Sequence, residues 1–147
     1  MLPHPAGELF AAASDPHRQL EWDAVTLRRV EMLTDGPVSA GSRVRGTFRG
    51  FGTVDYEYVA YEPDRTFAHL ARLPMGTMRH TFAFEPAPGG TVMVQVGELD
   101  PNLVGRIGRP IVARVLRHRF ATIAAELDRY LRATGTSRFD AGPAGGR

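Results

Sequence analysis

The sequence predicts an α+β domain, with a curved antiparallel sheet of six strands wrapped around one long C-terminal helix and two short helices near the N-terminus. Three observations carry this. Alternating runs recur between Arg43 and Leu99, separated by turn chemistry such as Glu62-Pro63-Asp64 and Pro86 to Gly90. After Asn102 the apolar period becomes that of a helix and holds to Ala133. The strand–helix alternation of a parallel sheet is missing, as is any G-x-G-x-x-G run.

With 147 residues, 43% hydrophobic and 23% charged, the chain has the composition of one ordinary globular domain. There is no cysteine, which excludes disulfides, thiolate metal sites and a cysteine nucleophile. All 18 basic Lys/Arg side chains are arginine, which excludes Schiff-base chemistry and a P-loop lysine. No apolar run approaches the length that crosses a bilayer, and no charged-then-apolar leader opens the chain. The expectation is a cytoplasmic protein without membrane insertion. A net charge of +2 is small for a nucleic-acid binder, so none is expected as a partner.

Along the chain, Leu9, Phe10 and Ala13 share one helical face after Pro5. Asp15-Pro16 interrupts before a second short helix through Leu20 and Trp22. Residues 24–34 begin the sheet and Asp35-Gly36-Pro37 turns it. In the run from Arg43 to Phe51, Val44 and Phe48 oppose Arg43, Arg45 and Arg49. From Thr53 to Tyr61, Val54, Tyr56 and Tyr58 oppose Asp55 and Glu57. A hairpin through Gly50 and Gly52 would set the arginine face against the acidic one, which marks a solvated sheet face rather than a binding patch. Strands follow at 65–73, 77–85 and 91–99. In the helical region Leu103, Ile107, Ile111 and Val115 form a stripe that Leu116, Phe120, Ile123, Leu127 and Leu131 continue. Pro110 places a break near Arg106–Arg109. The domain is expected to span residues 1–134, with a disordered Gly-rich tail at 135–147.

A long helix over a concave sheet leaves a gap unless bulky side chains fill it. Several expected inward positions are large but polar-tipped: Tyr56, Tyr58, His80, His69 and Gln95. They lie among Phe48, Phe67, Met78, Phe82 and Phe84. That mixture suits a small-molecule pocket, whereas each polar tip alone would suit a hydrogen-bonded core. The expected lining is Phe48, Tyr56, Tyr58, His80 and Phe82, with Phe67, His69, Met78 and Gln95 beside them. Val115 to Ile123, with His118, form the roof, and Trp22 either caps the mouth or packs helix against sheet.

The order of motifs resembles the START-like helix-grip proteins (SRPBCC), particularly their polyketide cyclase/dehydrase branch. The matching residues are Pro5-Ala6, Phe10, Ser14-Asp15-Pro16, Glu21-Trp22, Glu31-Met32-Leu33, Gly36-Pro37, Gly41-Ser42-Arg43 and Gly46-Thr47. Further on come Tyr61-Glu62-Pro63, Arg79 to Pro86, Gly89-Gly90-Thr91 and Glu126-Leu127 to Leu131. The resemblance covers about residues 3–133. It implies a strand before the first helix, yet only Met1 and Leu2 precede Pro3. Either the start lies upstream or the sheet has an exposed edge, which invites a homodimer. Strand 91–99, with Val92, Val94 and Val96 on one face and Met93 and Leu99 on the other, suits dimer burial or a central position.

Histidine is the natural acid–base group near neutral pH. His4 and His17 are expected to be exposed, whereas His69, His80 and His118 can reach the pocket. No metal site is expected, because no H-x-x-x-H spacing or reliable carboxylate joins them. The first functional reading is a binding protein for an apolar, aromatic or lipid-like small molecule. The second is a cofactor-free polyketide cyclase, aromatase or dehydrase that uses His80 with the Tyr56 phenol as its catalytic pair. A third is a co-chaperone-like interaction module, whose mark would be an apolar outer patch without an enclosed pocket.

Overall fold

The structure, a computed structural model, describes residues 1–139. The element order is α1 (Ala6–Ser14), α2 (Pro16–Trp22), β1 (Leu27–Met32), β2 (Arg43–Phe48), β3 (Gly52–Glu62), β4 (Thr66–Leu73), β5 (Gly76–Ala87), β6 (Gly90–Pro101), α3 (Leu103–Ile107) and α4 (Arg109–Phe139). Among the described residues the six strands form one antiparallel sheet in sequence order, the helix-grip arrangement expected. Helix α4 runs past position 134, and residues 140–147 of the expected tail lie outside the described residues.

Local chemistry sets the boundaries. Asp15 caps α2 by accepting from the backbone N–H groups of His17 at 2.8 Å and Arg18 at 3.4 Å. Pro16 takes the first helical position, where no N–H is needed. The β2–β3 hairpin turns through Gly50 and Gly52, both at positive φ. Its register sets Arg43 against Glu57 and Arg45 against Asp55. The Arg45 guanidinium grips the Asp55 carboxylate through Nε at 2.7 Å and Nη2 at 2.8 Å. That contact holds the carboxyl below its ordinary range. Both side chains are about half exposed, so water screens the pair and it belongs to a solvated face.

Where the resemblance implies a strand before α1, the described residues hold a single antiparallel bridge at Leu2. The Leu2 N–H donates to the Thr91 carbonyl at 2.8 Å, and the Thr91 N–H returns the bond at 2.9 Å. Gly90 permits the approach, since a Cβ there would overlap the Leu2 carbonyl. Beyond Thr91 the outer edge of β6 pairs with no further strand among the described residues. Strand β6 is therefore the last strand, not a central one. Its outward Val92, Val94 and Val96 stay exposed, while Met93 packs on the core.

Helix α1 packs on the inner sheet face beside the second half of α4, and the first half of α4 spans the rest of that face. Under α1, Phe10 meets Tyr61, Phe67 and Phe84 edge-to-face. Leu9, Phe67 and Leu127 are wholly buried, and each such side chain contributes roughly 1.5–3 kcal/mol of transfer free energy. The break expected before the main helix falls at Gly108, between α3 and α4. The stripe expected to face inward there does not. Leu103, Ile107 and Ile111 are 75%, 80% and 71% exposed, and Val112 is the first half-buried residue of α4. His4 also departs from expectation: it is mostly buried and bonds the Asp128 carboxylate at 2.8 Å, while His17 is exposed.

Candidate functional site

Between the sheet and the first half of α4 lies a cavity of about 500 Å³ whose wall is almost wholly apolar. Alternate residues of a strand point to one face, so each strand supplies positions two apart. Phe48 comes from β2, Val54 and Tyr56 from β3, and His69, Ala71 and Leu73 from β4. Met78, His80 and Phe82 come from β5. Helix α4 lines the cavity with Val115, Leu116, His118, Phe120 and Ile123, and Trp22 of α2 also stands on its wall. The Trp22 indole N–H donates to the Ala12 carbonyl at 3.0 Å, so the ring both ties α2 to α1 and lines the cavity.

Three residues expected on the wall lie elsewhere. Tyr58 and Phe67 share the inward face with Tyr56 and Phe82, but α1 plugs that half of the sheet. The Tyr58 hydroxyl donates to the Ser14 carbonyl at 2.7 Å, and Phe67 stacks on Phe82 with centroids 4.7 Å apart. The Gln95 amide donates to the Phe120 carbonyl at 3.1 Å, tying sheet to helix instead of facing the cavity. Strict alternation located the correct face. It does not reveal that a short helix divides that face into a filled and an empty half.

The two strand histidines are cross-strand partners, His69 on β4 opposite His80 on β5. Burial, with His80 nearby, pushes His69 down to about 3. His80 falls to about 4, chiefly through burial and further through Arg119, while Gln95 works against the shift. Both imidazoles are therefore neutral at pH 7. Burial also pushes the Tyr56 phenol well above its ordinary value of 10.0, with the Asp23 carboxylate adding to the effect. His69 packs edge-on against Tyr58 at 4.4 Å and tilted against Tyr56 at 4.9 Å. The Tyr56 hydroxyl, His69 Nε2, His80 Nε2, Asp23 Oδ1 and Gln95 Oε1 are buried without a protein hydrogen-bond partner.

One cluster was missed from the sequence. Asp23, 1% exposed, forms a buried ion pair with Arg119 at 2.5 Å, and Arg119 also holds Glu126 at 2.9 Å. Gln19 donates to Asp23 Oδ2 at 3.1 Å. Burial raises the Asp23 carboxyl and Arg119 opposes that rise. Asp23 and Arg119 both stand on the cavity wall. The seven-residue spacing of Arg119 and Glu126 places both on one helical face, which is the signal that was available. Among the described residues no three His, Asp or Glu side chains gather as a metal site.

A curved six-stranded antiparallel sheet gripping a long helix over an apolar cavity defines the helix-grip class. The chain belongs to the family described as "Polyketide cyclase / dehydrase and lipid transport", whose model matches residues 2–132. The curated proteins give no match. Among solved structures, a protein of Mesorhizobium loti is 23% identical, with a TM-score of 0.65 over 88% of this chain and 93% of that one. The protein Ara h 8.0201 is 16% identical, with a TM-score of 0.68 over 90% and 93%. DynU16, a protein in the dynemicin biosynthetic locus, is 20% identical, with a TM-score of 0.65 over 89% of this chain and 44% of that one. At these identities the likeness is one of fold. No helix among the described residues is long and apolar enough to cross a membrane.

Proposed function

We propose that this protein binds an apolar or aromatic small molecule, of polyketide-like or lipid-like chemistry, in the cavity between the sheet and α4. The observation that carries the reading is the cavity itself: about 500 Å³, bounded by aromatic and aliphatic side chains. That size and lining are typical of a small-molecule site. Trp22, Phe48, Tyr56, His69, Met78, His80, Phe82, Val115 and His118 are the residues proposed to contact the ligand. The family's description, which couples polyketide chemistry with lipid transport, supports the same ligand class.

The test uses Trp22, the one tryptophan of the chain, which stands on the cavity wall. Titration with polycyclic phenols should change its fluorescence saturably, and native mass spectrometry should show a one-to-one complex. Unchanged emission together with only the bare protein mass would overturn the reading.

The enzymatic alternative rests on the unpartnered His80 Nε2 and Tyr56 hydroxyl. Acid–base catalysis works best when the groups titrate near the operating pH. Burial moves His80 down, making it a weak base, and Tyr56 up, making it a weak acid. The family's description names cyclase and dehydrase chemistry beside lipid transport, so this alternative stands second to the binding reading, which rests on the cavity itself. Of the two marks of an interaction module, the apolar outer patch is present at Leu103, Ile107 and Ile111, and the cavity stands against the reading.

A further inference from the structure

The stripe that turned outward is the feature left unexplained. Leu103, Ile107, Ile111 and Val115 recur every four residues through α3 and the start of α4, and they are 75%, 80%, 71% and 45% exposed. Val104 adds a further aliphatic side chain at 66%. Single exposed aliphatics are ordinary, but a contiguous row of them marks a contact surface. Five arginines, at 106, 109, 114, 117 and 119, accompany the row, and no acidic residue occurs between Asp100 and Glu126. Arg119 is paired inward. Among the described residues none of Arg106, Arg109, Arg114 and Arg117 forms an ion pair.

We propose that α3 and the first turns of α4 dock on an anionic lipid surface, lying in the plane of the interface with the cavity mouth toward the bilayer. A basic helical segment with one aliphatic face has the chemistry of an interfacial, non-spanning element. The charge selects the occupant. Two copies meeting through this face would set one unpaired arginine row against another, which disfavours self-association. Phosphate-rich partners without apolar matter would leave the aliphatic row in water. A lipid surface meets both needs, because phosphate headgroups take the guanidinium groups while the acyl boundary takes the row.

Position supports the same partner. Ile111 and Val115 belong both to the exposed row and to the cavity wall, and Arg114 and His118 share a shallow groove with them. Phe51, 47% exposed, and Met75 stand on the same wall, and the α3 cap binds the turn that carries Met75. The apolar lining thus runs continuously onto the apolar row, so an apolar ligand can pass between bilayer and cavity without crossing water.

The test is flotation of the whole chain with vesicles of pure phosphatidylcholine and with vesicles in which about one-third is phosphatidylglycerol. The protein should float with the anionic vesicles at low salt and be released as salt rises. Leu103→Asp with Ile107→Asp, neither on the cavity wall, should weaken that binding at least about tenfold. Arg106→Ser with Arg114→Ser should remove the preference for anionic lipid. Unchanged thermal melting of both variants excludes misfolding. Failure to float with either vesicle overturns the proposal, as does equal flotation of the double-aspartate variant. Concentration-dependent self-association abolished by that variant would instead assign the row to a second copy. In each case ligand binding, read at Trp22, stands or falls separately.

Discussion

His80 and Phe120 stack face to face across the cavity wall, with ring centroids 4.2 Å apart and planes 14° from parallel. The stack exists because the cross-strand partner of His80 is Gly97. A Cβ at Gly97 would lie 2.6 Å from the Phe120 ring. Helix α4 is thus seated on the sheet through a residue that has no side chain. Gly97→Ala should cost about 1–3 kcal/mol through overpacking. Adding Phe120→Leu should recover part of that loss, since the smaller side chain leaves room for the methyl. Urea unfolding of the two single variants and the double variant checks the coupling, and strict additivity would show that the contact is not shared.

The buried histidines make stability depend on pH in a defined direction. Their ordinary value is 6.5, and in the folded protein His69 and His80 lie at about 3 and about 4. Between pH 6.5 and 4 the unfolded chain binds protons that the folded chain refuses. Stability is therefore complete above pH 6.5 and falls as the pH drops through this window. Each histidine contributes a slope of up to about 1.4 kcal/mol per pH unit. Replacing His80 by Phe should remove about half of that slope, measured by urea midpoints at pH 7, 5.5 and about 4.5. An NMR titration in which both imidazoles protonate near pH 6.5 would contradict the burial that the fold imposes.

The Asp23–Arg119 pair should respond differently to single and double replacement. Arg119→Met leaves the Asp23 carboxylate, 1% exposed, without its countercharge. Breaking a buried pair in this way costs about 3–5 kcal/mol. Asp23→Asn in the same chain removes the stranded charge and should recover most of that loss. Asp23→Asn alone should cost less, because Arg119 keeps Glu126 at 2.9 Å. Chemical denaturation of the three variants at pH 7 measures the cycle.

Fold class and element order were legible because period-two runs, turn residues and the switch to a helical period are local signals. The arginine and acidic faces of β2 and β3 paired as their alternation required. The misreadings share one cause. Leu103, Ile107 and Ile111 have a core helix's spacing, but spacing does not say whether a partner surface exists opposite them. Tyr58 and Phe67 have the pocket's alternation but lie under α1, a helix whose docking place no local pattern encodes. Asp23 and Arg119 are 96 residues apart, and only the folded chain brings them together.

The division of the concave face gives the sharpest contrast between neighbouring positions. Ala71 is a small residue on the cavity wall, paired with Tyr56 on one side and Met78 on the other. Ala71→Phe should place its ring in the cavity, where the new apolar burial offsets the entropy of ordering the ring. Stability should then change by no more than about 1 kcal/mol, while affinity for a polycyclic phenol drops more than about tenfold. Tyr58→Phe acts in the half filled by α1. It removes the hydroxyl bond to the Ser14 carbonyl and should cost about 1 kcal/mol of stability with ligand affinity unchanged. Trp22 fluorescence reads affinity and urea unfolding reads stability in both variants. If Tyr58→Phe weakens binding as much as Ala71→Phe does, the ligand reaches under α1 and the face is not divided as the structure shows.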